Sequence, residues 1–207
     1  MTTLALQVGA GSDDAREIGD GTVELSDASQ ISLSAATYWA GMRWTGVTVA
    51  QAATISSASL EIYTINSTSD VAGGAVVYGQ AADNAATFAA STNNITGRSR
   101  TTASATWSGD LGGPGWKSLD VTSIVQEIVN RSGWASGNAL ALLIDSVSGT
   151  DLRWRSYEYD TTLAAKLTIN YTTSSGQPTA ARARFVPGMR RPHGHQGWGK
   201  ESERWHR

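Results

Sequence analysis

The stretch that decides the fold runs from Trp107 to Tyr171. It contains Trp116-Lys-Ser-Leu-Asp-Val-Thr122, the apolar run Ala139-Leu-Ala-Leu-Leu-Ile144 and the alternating segment Lys166-Leu-Thr-Ile-Asn-Tyr171. An unbroken apolar run of this length is typical of a strand buried on both faces, and strict alternation is typical of a half-buried strand. The order therefore predicts a series of strands, interrupted by one short helix.

Other segments along the chain also alternate with the period of a strand. In Ser57–Thr64 the side chains of Ala58, Leu60 and Ile62 fall on one face and polar side chains fall on the other. The remaining predicted strands are Tyr38–Trp44, Ala75–Gln80 and Leu152–Tyr157.

A single segment has helical spacing. Its apolar residues recur at i, i+3, i+4, i+7 and i+8, and Asp120 or Thr122 is placed to cap the first turn. Gly133 follows, where a left-handed residue can close a helix. The apolar face consists of Val121, Ile124, Val125, Ile128 and Val129.

Many short strands and one helix predict an all-β protein, namely an antiparallel β-sandwich of the jelly-roll type. We expect this domain to cover residues 1–173 and an extended arm, rich in Gly, Pro and Arg, to cover 174–207. Within the domain, the polar segment Asp83–Ala105 is long for a loop. It is either a surface excursion with a short edge strand or a loop that contacts a partner.

Charge is divided unevenly along the chain. The 207 residues hold 16 Lys/Arg and 18 Asp/Glu, of which seven and two lie in residues 174–207. The arm therefore carries a net charge of +5 and residues 1–173 carry −7. A basic arm after an acidic domain favours docking on an acidic surface, including that of a neighbouring copy, so we expect homo-oligomers.

The N-terminus lacks the basic and apolar regions of a signal peptide, so we expect synthesis in a cytoplasm. No apolar run approaches the ~20 residues of a membrane span, and we expect no membrane partner. The chain has no cysteine, which excludes disulfides and thiolate metal sites.

Several motifs resemble DNRLRE-type domains, which look like carbohydrate-binding-module jelly rolls. They are the Trp116 to Thr122 segment, the Ala-Leu-Leu-Ile strand, Ser156-x-Glu158 and the final Leu-x-Ile-x-Tyr171. Arg43-Trp44, followed by an Ile-Ser-Ser-Ala-Ser-Leu strand, is similar as well. The resemblance covers roughly residues 10–172 and leaves the arm out. It implies a jelly roll that binds carbohydrate or has a structural role on a surface, in secreted bacterial proteins or phage virions.

Catalytic patterns are absent from residues 1–173. That part of the sequence has no His and no Cys, so it cannot form a Ser–His or Cys–His pair, and Glu158 and Asp160 form no recognisable acid/base motif. We therefore expect a protein that is not an enzyme. In the arm, His193 and His195 lack a visible third metal ligand, which favours hydrogen bonding at an interface.

Two further sets of residues are candidates for binding. Asp13, Asp14 and Asp20 lie in a Gly-rich segment and are either solvated turn residues or ligands of a structural Ca²⁺; no other cofactor is expected. Among the eight tryptophans, the family-like spacing places Trp44, Trp107, Trp116 and Trp154 in the core. Trp39 and Trp134 are the candidates for an exposed platform that stacks on a sugar.

These observations predict a virion structural protein of a tailed bacteriophage, either a capsid decoration protein or a small tail component. Its partners would be the major capsid protein or a tail protein, and the split charge makes nucleic acid a weaker candidate. The alternative is a carbohydrate-binding module for cell-wall or cell-surface polysaccharide. The expected partner-binding residues of the arm are Arg182, Arg184, Phe185, Arg190, Arg191, His193, His195, Trp198 and Trp205.

Overall fold

The computed structural model describes residues 1–25, 30–34, 36–66, 73–147 and 149–173. In this part of the chain, two antiparallel six-stranded sheets and one α-helix are present. The predicted all-β sandwich is therefore confirmed. The chain divides into a compact unit, Met1–Ser175, and a second unit, Gly176–Arg207. The extended conformation expected for the arm falls outside the described residues.

The elements follow one another in a simple order. A 3-10 turn at Gly11–Asp13 precedes the second strand. The strands are β1 (Thr2–Gln7), β2 (Asp14–Glu17), β3 (Val23–Glu24), β4 (Ile31–Leu33), β5 (Trp39–Trp44), β6 (Thr54–Thr64), β7 (Ala75–Gln80), β8 (Arg100–Trp107), β9 (Gly115–Asp120), β10 (Leu140–Asp145), β11 (Leu152–Trp154) and β12 (Lys166–Thr172), and helix α1 covers Thr122–Val129.

The two sheets are built from interleaved strands. The first has the order β1-β12-β6-β11-β4, with β9 also paired to β6, and the second has the order β3-β2-β5-β10-β7-β8. From β5 to β10 the chain passes repeatedly from one sheet to the other. Such crossings are what join the two layers of a sandwich into one domain.

The core lies between the sheets. It receives Leu60 and Ile62 from β6 and Leu167 and Ile169 from β12, all fully buried. The tryptophans predicted to be in the core are confirmed there, except for Trp116. Trp44, for example, is buried and donates from Nε1 to the carbonyl oxygen of Ala165 at 3.2 Å.

The second sheet is also covered on its outer face. Phe88 and Ile95, from the segment between β7 and β8, pack there against Ala141 and Leu143 of β10. This double burial was predicted from the unbroken apolar run, and it is confirmed. A Cβ at Gly41 of the neighbouring strand would overlap the Phe88 ring, so glycine is needed there.

Two charged side chains, one buried and one half-buried, hold the segment between β7 and β8 on the second sheet. The Glu17 carboxylate accepts hydrogen bonds from the backbone N–H groups of Ile95 at 2.7 Å and Thr96 at 2.9 Å. The Arg98 guanidinium donates to the carbonyl oxygen of Ala86 at 2.7 Å and lies 4.1 Å from the Phe88 ring centre. The long polar segment is thus an excursion packed on its own domain, and it ends in the eight-residue edge strand β8.

Helix α1 forms where its spacing predicted, and its apolar face is buried. The Asp120 carboxylate accepts from the N–H of Thr122 at 2.8 Å, whereas the Thr122 hydroxyl accepts from the N–H of Ala58 and does not cap the helix. The expected left-handed closure is wrong, because the residue after the helix, Asn130, keeps right-handed helical angles and Gly133 has no positive φ.

Candidate binding surface

The outer face of the first sheet differs from that of the second because the outward side chains of four of its strands, β1, β12, β6 and β9, are at least partly exposed. Strands β1, β12, β6 and β9 lie side by side here, and alternate residues of each point outward. We call this surface the open face. Its residues are Thr3, Ala5, Gln7, Lys166, Thr168, Asn170, Ser59, Glu61, Tyr63, Trp116, Ser118 and Asp120.

An aromatic pair lies at one side of the open face. Tyr63 and Trp116 are directly opposite in the pairing of β6 with β9, and their ring centres are 5.5 Å apart in an edge-to-face arrangement. The Lys166 ammonium lies 3.7 Å from the Trp116 ring centre. Trp116 is nevertheless 36% exposed. The prediction that Trp116 belongs to the core is therefore wrong.

Where β1 pairs with β12, the open face contains a depression of about 330 Å³. Its lining consists of Ala5, Leu6, Gln7, Lys166 and Thr168. Lys166 belongs to both features, because it lines the depression and its ammonium contacts the Trp116 ring. Small apolar side chains beside a few polar groups are typical of ligand sites.

A row of amides and hydroxyls continues the open face. The Thr3 hydroxyl donates to Asn170 Oδ1 at 2.6 Å, and Asn170 Nδ2 donates to the Ser57 hydroxyl at 2.9 Å. Farther along the same strand, Lys166 lies opposite Glu61 in the pairing of β12 with β6. The surface is thus polar, and a positive and a negative side chain face each other at its centre.

Neither tryptophan proposed as a sugar platform from the sequence has a freely exposed ring. Trp134 is only 3% exposed and donates from Nε1 to the carbonyl oxygen of Val49 at 2.9 Å, so that prediction is wrong. Trp39 is half-buried and packs against the cluster of apolar residues outside the second sheet.

The three aspartates proposed as calcium ligands have separate surroundings. Asp13 Oδ1 accepts from Arg43 Nη1 at 2.6 Å, and Asp20 Oδ1 accepts from the N–H of Thr22 at 2.9 Å, a bond that lowers the pKa of Asp20. Within the described ranges, no three His, Asp or Glu side chains are grouped so that they could hold a metal. The structure therefore does not unite these aspartates in a metal site.

Asp14 is the unusual member of this set. It is 1% exposed, and its Oδ2 accepts from the N–H of Tyr157 at 2.8 Å. Its Oδ1 has no hydrogen-bond partner in the described part of the protein. Burial raises the pKa of Asp14 to about 7, and the negative charges of Glu158 and Asp13 act in the same direction. This carboxyl group therefore changes its charge near neutral pH.

No protein-family model matches the chain, and no curated protein sequence matches it. In the described part of the chain, no helix is long and apolar enough to cross a membrane. The arm residues predicted to bind partners, Arg182 to Trp205, lie outside the described residues.

Proposed function

We propose that this chain is a structural protein of a tailed-phage virion, either a capsid decoration protein or a small tail component. The β-sandwich would sit on the particle, and the arm over residues 174–207 would dock on neighbouring subunits. The observation that carries the proposal is the division of charge between an acidic domain and a basic arm. Opposite charges on the two parts favour contact between one copy and the next.

The internal ion pairs of the sandwich support this charge argument. Residues 1–173 hold nine Lys/Arg and sixteen Asp/Glu, and the structure describes five ion pairs among them. More than half of the basic side chains are thus paired with carboxylates within the domain, and unpaired carboxylates remain in excess. An acidic surface with this excess suits the Arg-rich arm of a neighbour, or a basic patch on a capsid or tail protein.

The proposed role is one of binding without catalysis. Residues 1–173 contain no His and no Cys, so the sandwich has no imidazole or thiolate with which to activate a nucleophile. The second sheet is covered by the segment between β7 and β8, and the first sheet offers an open, polar face. A sandwich with one open face fits a module that is displayed on a surface.

The test compares the complete chain with a version that ends at Ser175. Both are expressed in cells that produce the particle, and association is measured by sedimentation of the particles followed by mass spectrometry. We expect the shortened chain to fold, because the sandwich is a compact unit that ends there. We also expect it to be missing from the particles. Incorporation of the shortened chain at the level of the complete chain would contradict the proposed role of the arm.

A pair of charge variants provides the matched control. Changing Arg182, Arg184, Arg190 and Arg191 to Lys keeps the net charge of the arm at +5, whereas changing them to Gln lowers it to +1. We expect the Gln variant to lose most of its association with the particle and the Lys variant to keep it. Equal association of both variants would show that charge does not drive docking.

A further inference from the structure

We propose that the outer edge of strand β1 pairs with β1 of a second copy of this chain, antiparallel and about a two-fold axis at Ala5. The first sheets of two sandwiches then join into one continuous sheet. This inference goes beyond the proposed role on a particle and does not depend on the arm, because the contact is made between sandwich and sandwich. It rests on the register of β1 and on the way the sheet edges differ.

One side of β1 has backbone groups that no strand of the described residues pairs with. β1 lies at the end of the first sheet, next to β12. The N–H of Val8 donates to the carbonyl oxygen of Ala165 at 2.9 Å, which continues the pairing of β1 with β12. Hydrogen-bonded pairs alternate along an antiparallel ladder, so the even-numbered residues of β1 bond to β12. The N–H and C=O groups of Thr3, Ala5 and Gln7 therefore point away from β12.

The polar side chains along this edge are engaged on the side of β12. The Thr3 hydroxyl donates to Asn170 Oδ1 at 2.6 Å. Gln7 Nε2 donates to the carbonyl oxygen of Ala164, just before β12, at 2.8 Å. Ala5, which lies between Thr3 and Gln7 on the same face, has only a methyl group. The backbone along this edge is thus accessible to another strand.

The other edge strands have features that hinder pairing with a further strand. At β8, the edge of the second sheet, the Glu127 carboxylate accepts hydrogen bonds from the N–H groups of Thr102 at 2.8 Å and Ala103 at 2.7 Å. Strands β3 and β4 have two and three residues, and β9 contains Lys117 and Asp120. Short length and charged side chains are common means of blocking an edge. β1 has six residues, none of them charged and none of them proline, so it lacks these protections.

The strand is complementary to itself in one antiparallel register. With Ala5 opposite Ala5 of the second copy, Thr3 lies opposite Gln7, and every outward N–H and C=O group of these residues obtains a partner. A register shifted in either direction leaves some of these groups unpaired. On the inner face, Leu4 lies opposite Leu6 of the second copy. Both leucines are only partly buried in a single sandwich, so pairing removes more apolar surface from water.

Charge does not oppose this contact. Of β1 and β12, only β12 contains a charged residue, Lys166, which lies opposite Gln7. In the joined sheet the two copies of Lys166 are offset by four residues, which is about 14 Å along the strands. Screening at physiological ionic strength is strong beyond about 8 Å, so they repel each other weakly. The contact should therefore persist in NaCl, unlike docking of the basic arm.

The first experiment introduces single cysteines into the complete chain, which has none of its own. Ala5→Cys places two thiols opposite each other on the axis, where the Cα atoms of a hydrogen-bonded pair are about 5.5 Å apart, a distance that a disulfide spans. We expect most of this variant to become a disulfide-linked dimer under mild oxidation. Thr3→Cys is the matched control, because the register separates its two thiols by about 14 Å. It should stay monomeric in non-reducing gels alone and should cross-link when mixed with Gln7→Cys.

The second experiment measures the mass of the complete chain by sedimentation velocity, from about 1 to about 100 μM, a range suited to a small interface. We expect a reversible dimer at low and at high NaCl. Ala5→Pro removes an N–H that points away from β12, and Ala5→Lys places like charges opposite each other on the exposed face. Each should raise the dissociation constant at least tenfold. Melting temperatures identify a variant that fails to fold, and the other then decides.

The inference is overturned by a complete chain that stays monomeric over this range, by folded Ala5→Lys or Ala5→Pro that dimerises like the unchanged protein, or by Thr3→Cys that cross-links alone as readily as Ala5→Cys. A dimer that disappears at high NaCl, or when the four arginines of the arm are changed to Gln, would assign the contact to the arm and overturn it as well. Because the assays use purified protein without particles, a failure here is distinct from a failure of the proposed virion role.

Discussion

Replacing Asp14 by Asn should change how the stability of the sandwich depends on pH. Asp14 is buried, and its pKa is raised from the ordinary value of 3.8 to about 7 in the folded protein. A carboxyl group whose pKa is higher in the folded state binds its proton more tightly there. Its contribution to stability is therefore complete below pH 3.8 and is lost as the pH rises to about 7.

The size of the effect follows from the shift. Each pKa unit corresponds to about 1.4 kcal/mol. A shift of about three units therefore makes the free energy of folding less favourable by roughly 4 kcal/mol for the ionised form than for the protonated form. Asn is neutral at every pH, and its side-chain oxygen can still accept from the N–H of Tyr157. Relative to the unchanged protein, Asp14→Asn should therefore gain up to roughly 4 kcal/mol between pH 4 and pH 8.

The assay is urea unfolding of both proteins at intervals from pH 4 to pH 8.5, with the free energy of unfolding extrapolated to water. Any constant cost of the amide cancels when the pH profiles are compared. Asp20→Asn is the control with the opposite sign, because the pKa of Asp20 is lowered by its hydrogen bonds with Thr22, and stability from it is lost as the pH falls. Parallel profiles for the unchanged protein and Asp14→Asn would refute the reasoning.

Three more predictions concern packing and buried hydrogen bonds. Gly41→Ala should lower the free energy of unfolding in urea by about 1–3 kcal/mol, because the added Cβ would overlap the Phe88 ring. An unchanged midpoint of urea unfolding would contradict the close packing of Phe88 on Gly41. Glu17→Gln should lower the free energy of unfolding by about 1–3 kcal/mol and speed amide hydrogen exchange in residues 81–99. Exchange at the same rate as in the unchanged protein would show that Glu17 does not hold this segment. Trp134→Phe should lower the free energy of unfolding by about 1–2 kcal/mol, through loss of its buried N–H bond; an unchanged midpoint of urea unfolding would contradict this role of the bond.

Local sequence patterns predicted the all-β class, helix α1 and six of the strands, β5, β6, β7, β10, β11 and β12, but they did not predict β1 to β4. The apolar run of β10 predicted burial on both faces, and the spacing from Val121 to Val129 predicted α1 within one residue. Strand β6 begins three residues before the predicted Ser57, and β11 ends at Trp154. These differences lie at the ends of elements, where pairing with neighbouring strands decides the boundary and periodicity does not.

The exposed aromatic residue could have been found from the sequence. Trp116 alternates with Lys117 and Leu119 and shares its side of the strand with Ser118 and Asp120, so period-two spacing places it on the polar face. The family-like spacing led instead to a core assignment. Trp134, by contrast, lies in a turn without periodicity, and its burial depends on the distant backbone of Val49.

The depression on the open face could not have been predicted in this way. It brings together β1 and β12, which lie near opposite ends of the sandwich sequence, and its lining depends on the register that pairs Gln7 with Lys166. Each strand alternates regularly, but alternation in one strand does not specify its partner.

The measurement that tests the central claim most directly is density-gradient sedimentation of a lysate from cells that produce the complete chain, with mass spectrometry of every fraction. As a virion structural protein, the chain should travel with a particle of virus size, in a constant ratio to a shell or tail protein. If the chain stays at the top of the gradient as a small species while such particles sediment without it, the virion proposal is contradicted.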